Sequence, residues 1–377
     1  MQNIKDYVKE NLSELYRIVY DLCHIPAPSH REQKRAEYCK AWFERNGIPG
    51  AYIDEACNVI LPYRAEGSDK LAVIEAHLDT VFPDTEPMPY VDDGEFIRCP
   101  GVGDDTASVA VLMLSAKYCF ENRVNTRGAL FVCNSCEEGL GNLKGTRYIF
   151  EKGYKDRITR LVSFDSSRFN YGAAACVGSH RYEVEVLTEG GHSWGKFGNK
   201  NAIAEISKIV NAIYSIELPK KEGKKVTYNV GTVSGGTSVN TIAQRATVLC
   251  EYRSDDAELL GFMKAEFEKI FESVRSDGVT VNVTLVGERP CEANVDPKKL
   301  DELKSISESI VFDTVGEHVT FGSSSTDCNI PMSLGIPAIT VGTYIGYGTH
   351  TREEHIVKSS LEAGLEIGIG VTLKVIE

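Results

Sequence analysis

Residues 71–79 read Leu71-Ala72-Val73-Ile74-Glu75-Ala76-His77-Leu78-Asp79, an apolar run that ends in a histidine, one intervening residue and an aspartate. A run of that length bounded by polar residues is the pattern of a strand buried on both faces, and in open α/β sheets chemistry collects just past the carboxyl ends of such strands. Neutral imidazole is the commonest transition-metal ligand, and a carboxylate two residues along a strand points to the same side. The pair His77 and Asp79 gains weight from the rest of the chain. Three later strand-like runs end in acidic residues and a fourth ends near a histidine.

At 377 residues the chain exceeds the size at which one hydrophobic core stops growing, so two domains are expected. A net charge of −13 and a pI near 5.2 exclude nucleic acid or an anionic membrane as the main partner. The first residues, MQNIKDYVKENLSELY, carry charges where a signal peptide needs an apolar segment, and no apolar stretch approaches the eighteen or so residues of a membrane span. Eleven cysteines at scattered spacings are those of a cytoplasmic protein with reduced, mostly buried thiols. Cys133 and Cys136 form a lone CxxC without the second pair that a structural zinc needs, and read as buried thiols.

Ile4, Tyr7, Val8, Leu12, Leu15, Val19 and Leu22 recur at helical spacing, which predicts an amphipathic first helix. Ser29 followed by Glu32 is a capping-box pattern for a second helix that runs to about Arg45. Strands are expected at 51–53, 59–63 and 71–76, followed by a polar stretch with hairpin character at 83–97. The segment GVGDDTAS then delivers Asp104 and Asp105 onto a helix with apolar positions from Val109 to Tyr118. Further buried strands at 129–133 and 161–164 end in Glu137-Glu138 and in Asp165. From about Arg181 the texture changes to four alternating strands with two helices among them, a small α+β sandwich. The predicted architecture is α/β: a mostly parallel mixed sheet with helices on both faces, in a catalytic domain of residues 1–180 and 292–377. Residues 181–291 form an inserted lid or dimerisation domain. The resumed first domain holds a helix at 297–311, strands at 318–321 and 338–342, and a final helix. His355 is expected on a helix as a surface or packing residue, and Gly231 to Gly236 as a turn in the lid.

The polar residues at the ends of the buried strands and turns are His77, Asp104, Glu137, Glu138, Asp165 and His350. Two imidazoles with several carboxylates are a transition-metal ligand set, expected to take Zn²⁺ with Mn²⁺ or Co²⁺ as competitors, and not an all-oxygen Ca²⁺ or Mg²⁺ site. Six candidates exceed one tetrahedral ion. Two ions about 3.5–4 Å apart can be served if one carboxylate bridges them, and such a site lowers the pKa of a shared water to about neutral. Adjacent Glu137 and Glu138 offer one carboxylate as ligand and one as general base.

With these motifs the chain resembles the M-twenty family of dizinc peptidases, which includes glutamate carboxypeptidase, peptidase T, aminoacylase and succinyl-diaminopimelate desuccinylase. The motifs are HLDT at His77, GVGDD at Asp104, CEEG at Glu137 and Glu138, SFDSS at Asp165, GGHSW at His192, GGTSVN at Asn240, EYR at Arg253, SSTD at Asp327 and THTREE at His350. The resemblance implies two Zn²⁺ per subunit. His77 and Asp165 hold one, Glu138 and His350 the other, and Asp104 bridges. It implies Glu137 as the base that acts on a metal-held hydroxide, Asp79 as the carboxylate behind His77, and His192 as the donor to the oxyanion. Asn240 and Arg253 are implied to hold a substrate carboxylate, Asp327 to belong to the substrate site, and the inserted domain to form a homodimer. Arg253 also fits by its own chemistry, since a planar guanidinium matches a carboxylate. The main departure is Thr106-Ala107-Ser108, where the family often has Lys-Gly-Gly; Thr106 cannot supply that cation. Glu251 stands where the family usually has Asp.

The expected activity is amide hydrolysis of small peptides, of an aminopeptidase, tripeptidase or dipeptidase kind. Asp165, where the family also uses Glu, and the length resemble the peptidase T-like branch. An N-acyl-amino-acid deacylase is the alternative, because both reactions cut an amide beside a carboxylate. A non-catalytic binding protein that retains the fold is the remote one, and the full ligand set with an intact Glu137 argues against it.

Overall fold

The structure is a computed structural model that describes residues 2–139 and 141–377. The chain divides into two compact units, residues 1–176 with 293–377 and residues 177–292. Each has its own hydrophobic core.

The first unit is built on a six-stranded mixed sheet. Its spatial order is Tyr52–Ile53, Val59–Tyr63, Ala129–Asn134, Leu71–His77, Ile158–Ser163 and Ala338–Thr340. The last four run parallel, and the two edge strands Tyr52–Ile53 and Val59–Tyr63 are antiparallel to their neighbours. Leu71–His77 is buried along its whole length. Ala72, Ile74 and Ala76 enter the core that carries the helices Ile4–Cys23, Gln33–Arg45, Ser108–Glu121 and Ser360–Ile376, whereas Leu71 and Val73 enter a second core with Ile149, Phe150, Ile330 and Met332. A strand clad on both faces cannot alternate polar and apolar residues, which is why this stretch reads as continuous hydrophobicity. Beside this sheet lie a parallel pair, Tyr171–Cys176 with Thr320–Ser324, and a four-stranded antiparallel sheet that includes Phe96–Arg98 and His355–Val357.

The second unit is a four-stranded antiparallel sheet in the order Val226–Gly235, Arg245–Ser254, Gly178–Thr188 and Val279–Arg289, with helices Ala202–Tyr214 and Ala257–Ser273 packed into its core. Asn201 and Asp256 cap the two helices through their side chains. Among the described residues no helix is long and apolar enough to cross a membrane.

Several local expectations need correction. His355 lies on a short strand, not a helix, because its segment pairs with Phe96–Arg98. The strand Tyr171–Cys176, rich in glycine and alanine, carries no periodic signal and is not anticipated. The inserted unit begins at residue 177, ahead of 181, because its first strand already pairs from Gly178. Ser29 does not cap the second helix; that helix starts at Gln33, and the Ser29 hydroxyl donates instead to Asp79 Oδ2 at 2.7 Å.

Candidate metal centre and active site

His77 closes the strand Leu71–His77 and is 2% exposed. Its backbone N–H donates to Asp105 Oδ2 at 2.9 Å, and its Nδ1 lies 2.9 Å from the carbonyl oxygen of Asp79. A carbonyl can only accept, so Nδ1 carries a hydrogen and Nε2 is turned away from the strand; burial opposes a charge on the ring, but the Glu138 carboxylate and the hydrogen bond to Asp104 outweigh it and raise its pKa well above the ordinary value. That Nε2 faces Asp104 Oδ1 at 2.9 Å and Glu138 Oε2 at 3.8 Å. The expected carboxylate behind His77 is therefore the Asp79 carbonyl. Asp79 Oδ1 is 3.9 Å from Nδ1. Its carboxylate instead accepts the N–H of Cys136 at 2.9 Å and of Glu138 at 2.8 Å, with the Ser29 hydroxyl as third donor. Asp79 thus pins the segment that presents Glu137 and Glu138.

Asp104 sits in the turn between Phe96–Arg98 and the helix Ser108–Glu121, and the peptide bond that joins it to Asp105 is cis. Its two oxygens face two different imidazoles. Oδ1 meets His77 Nε2 at 2.9 Å and Oδ2 meets His350 Nε2 at 3.1 Å. Burial would raise its pKa, but the hydrogen bonds to His350 and His77 outweigh that and hold it well below the usual carboxylate range. The loop is held from below by Glu354, whose carboxylate accepts the N–H groups of Gly101 at 2.8 Å, Gly103 at 3.0 Å and Asp104 at 2.9 Å. Burial pushes Glu354 up to about 7 against these bonds. A Cβ on Gly103 would lie 2.8 Å from the Tyr344 ring and 3.1 Å from Glu354 Oε1, so only glycine fits there.

His350 has a left-handed backbone, φ 65°, and its Nε2 lies 2.8 Å from Glu138 Oε1. Its hydrogen bonds to Asp104 and Glu138 raise its pKa to about 10. Asp165 follows the strand Ile158–Ser163, which pairs in parallel with Leu71–His77 as far as Glu75 opposite Ser163. Two residues further on each chain stand His77 and Asp165. Burial, then the Asp104 charge, pushes Asp165 up to about 7.

Glu137 also adopts a left-handed backbone, φ 56°. Its Oε1 lies 3.1 Å from His30 Nδ1 and 3.8 Å from Lys144 Nζ. Burial raises its pKa, and His30 and Lys144 oppose the rise. Asp327 is 1% exposed, and its oxygens accept from Asn134 at 2.8 Å and Thr146 at 2.8 Å. Sequence reasoning missed His30, Ser29, Arg35 and Glu354, which lie far along the chain from the groups they serve.

In the second unit His192 lies on the bridge Gly191–His192, paired with Thr241–Ile242. Its Nδ1 accepts the N–H of Trp194 and of Gly195, each at 3.3 Å, which leaves the hydrogen of the neutral ring on Nε2 as a donor. Ser193 N donates to the Asn240 carbonyl at 3.0 Å, which ties these two motifs together. The Arg253 guanidinium is engaged by its own strand, Nε to Glu251 Oε1 at 2.9 Å and Nη2 to Glu251 Oε2 at 3.1 Å. Arg181 reaches the same Glu251 at 3.2 Å. Arg181 stands on the strand beside Arg253, and Arg289 on the strand beyond that one, and their charges act on one another.

The ligand atoms of His77, Asp104 and Glu138 lie within 4.8 Å of one another, a candidate metal site. The donor set fits: an imidazole whose Nε2 faces two carboxylates, a second imidazole across a shared Asp104, and acids crowded enough that protons are drawn to Asp165 and to both imidazoles. The cluster lies past the ends of strands in a mostly parallel α/β sheet, the place where such folds carry metal-dependent chemistry. The model for peptidase family M20/M25/M40 matches residues 73–374, and the chain belongs to that family. It is accordingly a metallopeptidase-type hydrolase of peptide or amide bonds.

Succinyl-diaminopimelate desuccinylase of Corynebacterium glutamicum is 22% identical over 342 residues, 88% of this chain and 89% of that protein. The aminopeptidase PepT structure from Bacillus cereus superposes with a TM-score of 0.72 at 18% identity, covering 97% of this chain and 99% of that one. The YXEP protein of Bacillus subtilis, described as a dinuclear metal binding peptidase from the M20 family, gives 0.67 at 15% identity, covering 98% and 99%.

Proposed function

We propose that the chain is a two-metal peptidase of small peptides with a free amino terminus, of the tripeptidase or dipeptidase kind. The observation that carries this reading is Asp104, whose two oxygens face His77 Nε2 at 2.9 Å and His350 Nε2 at 3.1 Å. In this reading His77 and Asp165 hold one ion, Glu138 and His350 the other, and Asp104 bridges. Zinc is the proposed metal, with Mn²⁺ or Co²⁺ as competitors. Bound ions would acidify a water and polarise the scissile carbonyl.

The chain's own groups do the remaining work. Glu137 takes one proton from the attacking water as the new C–O bond forms, and returns it to the amine nitrogen as the C–N bond breaks. Its burial raises its basicity, and His30 and Lys144 oppose that rise. His192 Nε2–H is the donor proposed for the developing oxyanion. Arg253, with Arg181 on the neighbouring strand, and Asn240 are proposed to hold the substrate carboxylate, which would compete with Glu251 for the guanidinium fork. Asp79 and Asp327 become positioning groups. The inserted unit is proposed as the homodimer contact; Trp194 at 89%, Phe197 at 92% and Val239 at 102% are exposed apolar residues there. Eleven free cysteines, ten of them buried, suit a cytoplasmic location.

The similarity to a desuccinylase supports a second reading, N-acyl-amino-acid deacylation at the same site. The test is hydrolysis by the zinc- or manganese-loaded protein of dipeptides, tripeptides, amino-terminally blocked peptides and N-acetyl or N-succinyl amino acids. Cleavage of free peptides with blocked ones spared supports the peptidase. Preference for the acylated amino acids moves the assignment to a deacylase.

A further inference from the structure

Arg35, on the helix Gln33–Arg45, is 2% exposed, and its guanidinium spans three segments that are remote in sequence. Nε donates to the Ile25 carbonyl at 2.7 Å, and Nη1 donates to the Leu78 carbonyl at 2.9 Å and to Thr106 Oγ1 at 3.1 Å. Leu78 is the residue between His77 and Asp79. Thr106 directly follows Asp104 and Asp105, and is where the sequence lacks a cation. The structure brings one to it from another helix.

Among the described residues Arg35 forms no ion pair; the ionisable groups that face it are Cys23, Cys39, Cys99 and Asp79. An unpaired buried guanidinium is costly, and an apolar side chain of the same volume would fill the space without that cost. What the apolar chain could not do is fix the Leu78 carbonyl and the Thr106 hydroxyl on one rigid nitrogen. Those two atoms set the course of the chain through His77 and through Asp104, the residues that meet at 2.9 Å. Lysine is not equivalent, since one flexible ammonium lacks the planar fork.

We propose that Arg35 is a positioning residue that locks the His77–Asp79 segment to the Asp104–Thr106 segment and so presets both side chains for a shared metal ion. The proposal rests on the metal-dependent reading above. It is tested by calorimetric titration of the metal-free protein with Zn²⁺, for wild type, Arg35→Met, Arg35→Lys and the double variant R35M/T106K, with the thermal unfolding of each metal-free protein measured alongside. Arg35→Met is expected to bind one equivalent about 10–100-fold more weakly, as loss of an outer partner of a metal ligand does. R35M/T106K, which returns a cation from the opposite side, is expected to recover part of that loss.

Wild-type affinity for both equivalents in Arg35→Met overturns the proposal. So does a parallel weakening of both equivalents that tracks the loss of metal-free stability, the signature of a merely structural role. If Arg35→Met does not fold, Arg35→Lys decides: a several-fold loss at one equivalent supports the proposal, and unchanged affinity overturns it. A wild-type protein that binds no divalent ion overturns the proposed function, and this inference with it; binding by wild type with no difference in the variants overturns this inference alone.

Discussion

The carboxylate of Asp79 accepts the backbone N–H of Glu138 at 2.8 Å, so the residue two past His77 orients the opposite wall of the metal centre. Three donors, Ser29 Oγ, Cys136 N and Glu138 N, converge on it. Asp79→Ala leaves them without this acceptor, and Asp79→Asn offers one acceptor oxygen where there were two. Both variants are expected to lose metal affinity by about 10–100-fold, the alanine variant more, as measured by calorimetric titration with Zn²⁺. Wild-type affinity in both would remove Asp79 from the positioning role.

Glu137→Gln keeps the size of the side chain and removes the base. Turnover of the best peptide substrate is expected to fall by about 10²–10⁴-fold with metal stoichiometry unchanged. A variant that keeps its kcat would show that another group takes the proton.

His30→Ala removes the nearer of the two basic side chains beside Glu137 Oε1. Burial raises the Glu137 pKa and His30 opposes it, so the variant's base is expected to titrate higher. A base acts when deprotonated; hence the acidic limb of the kcat/KM profile should move to higher pH, with the plateau at high pH nearly preserved. A limb that stays in place would show that the pair has no influence on the base.

Gly103→Ala places a Cβ 2.8 Å from the Tyr344 ring in a site that is buried throughout. Forced repacking of this kind costs about 1–3 kcal/mol, to be read from urea unfolding of the metal-free protein. The Asp104 N–H should also lose protection in hydrogen exchange as Glu354 is displaced.

Asp256→Ala removes the cap of helix Ala257–Ser273, where Asp256 Oδ1 accepts the Leu259 N–H at 3.0 Å, together with the ion pair to Lys221 at 2.6 Å. The loss is expected near 1 kcal/mol in urea unfolding, with metal affinity untouched. A change in metal binding would reveal a coupling between the inserted unit and the site.

Chain order and residue type made much of the first unit legible. The run Leu71 to Ala76 announced a strand buried on both faces because its even and odd residues enter two different cores. His77, Asp104, Glu138 and His350 are legible as polar residues at the ends of buried strands and turns, and the structure gathers these four. Asp165 stands in line with His77 through strand register. Period-two alternation likewise exposed the antiparallel sheet of the second unit.

What the sequence determined by itself, then, is the set of elements and the chemical type of the centre, since hydrophobic periodicity is a local property and ligand chemistry belongs to the residue. Only the tertiary structure decided which polar group serves which. Asp79 turned from His77 to residues 57 and 59 positions away, Arg35 reached Thr106 across 71, and Glu354 closed on a loop 250 earlier. Such pairings are set by how the packed elements bring buried donors and acceptors within about 3 Å, where each must find a partner, and no local pattern encodes that distance.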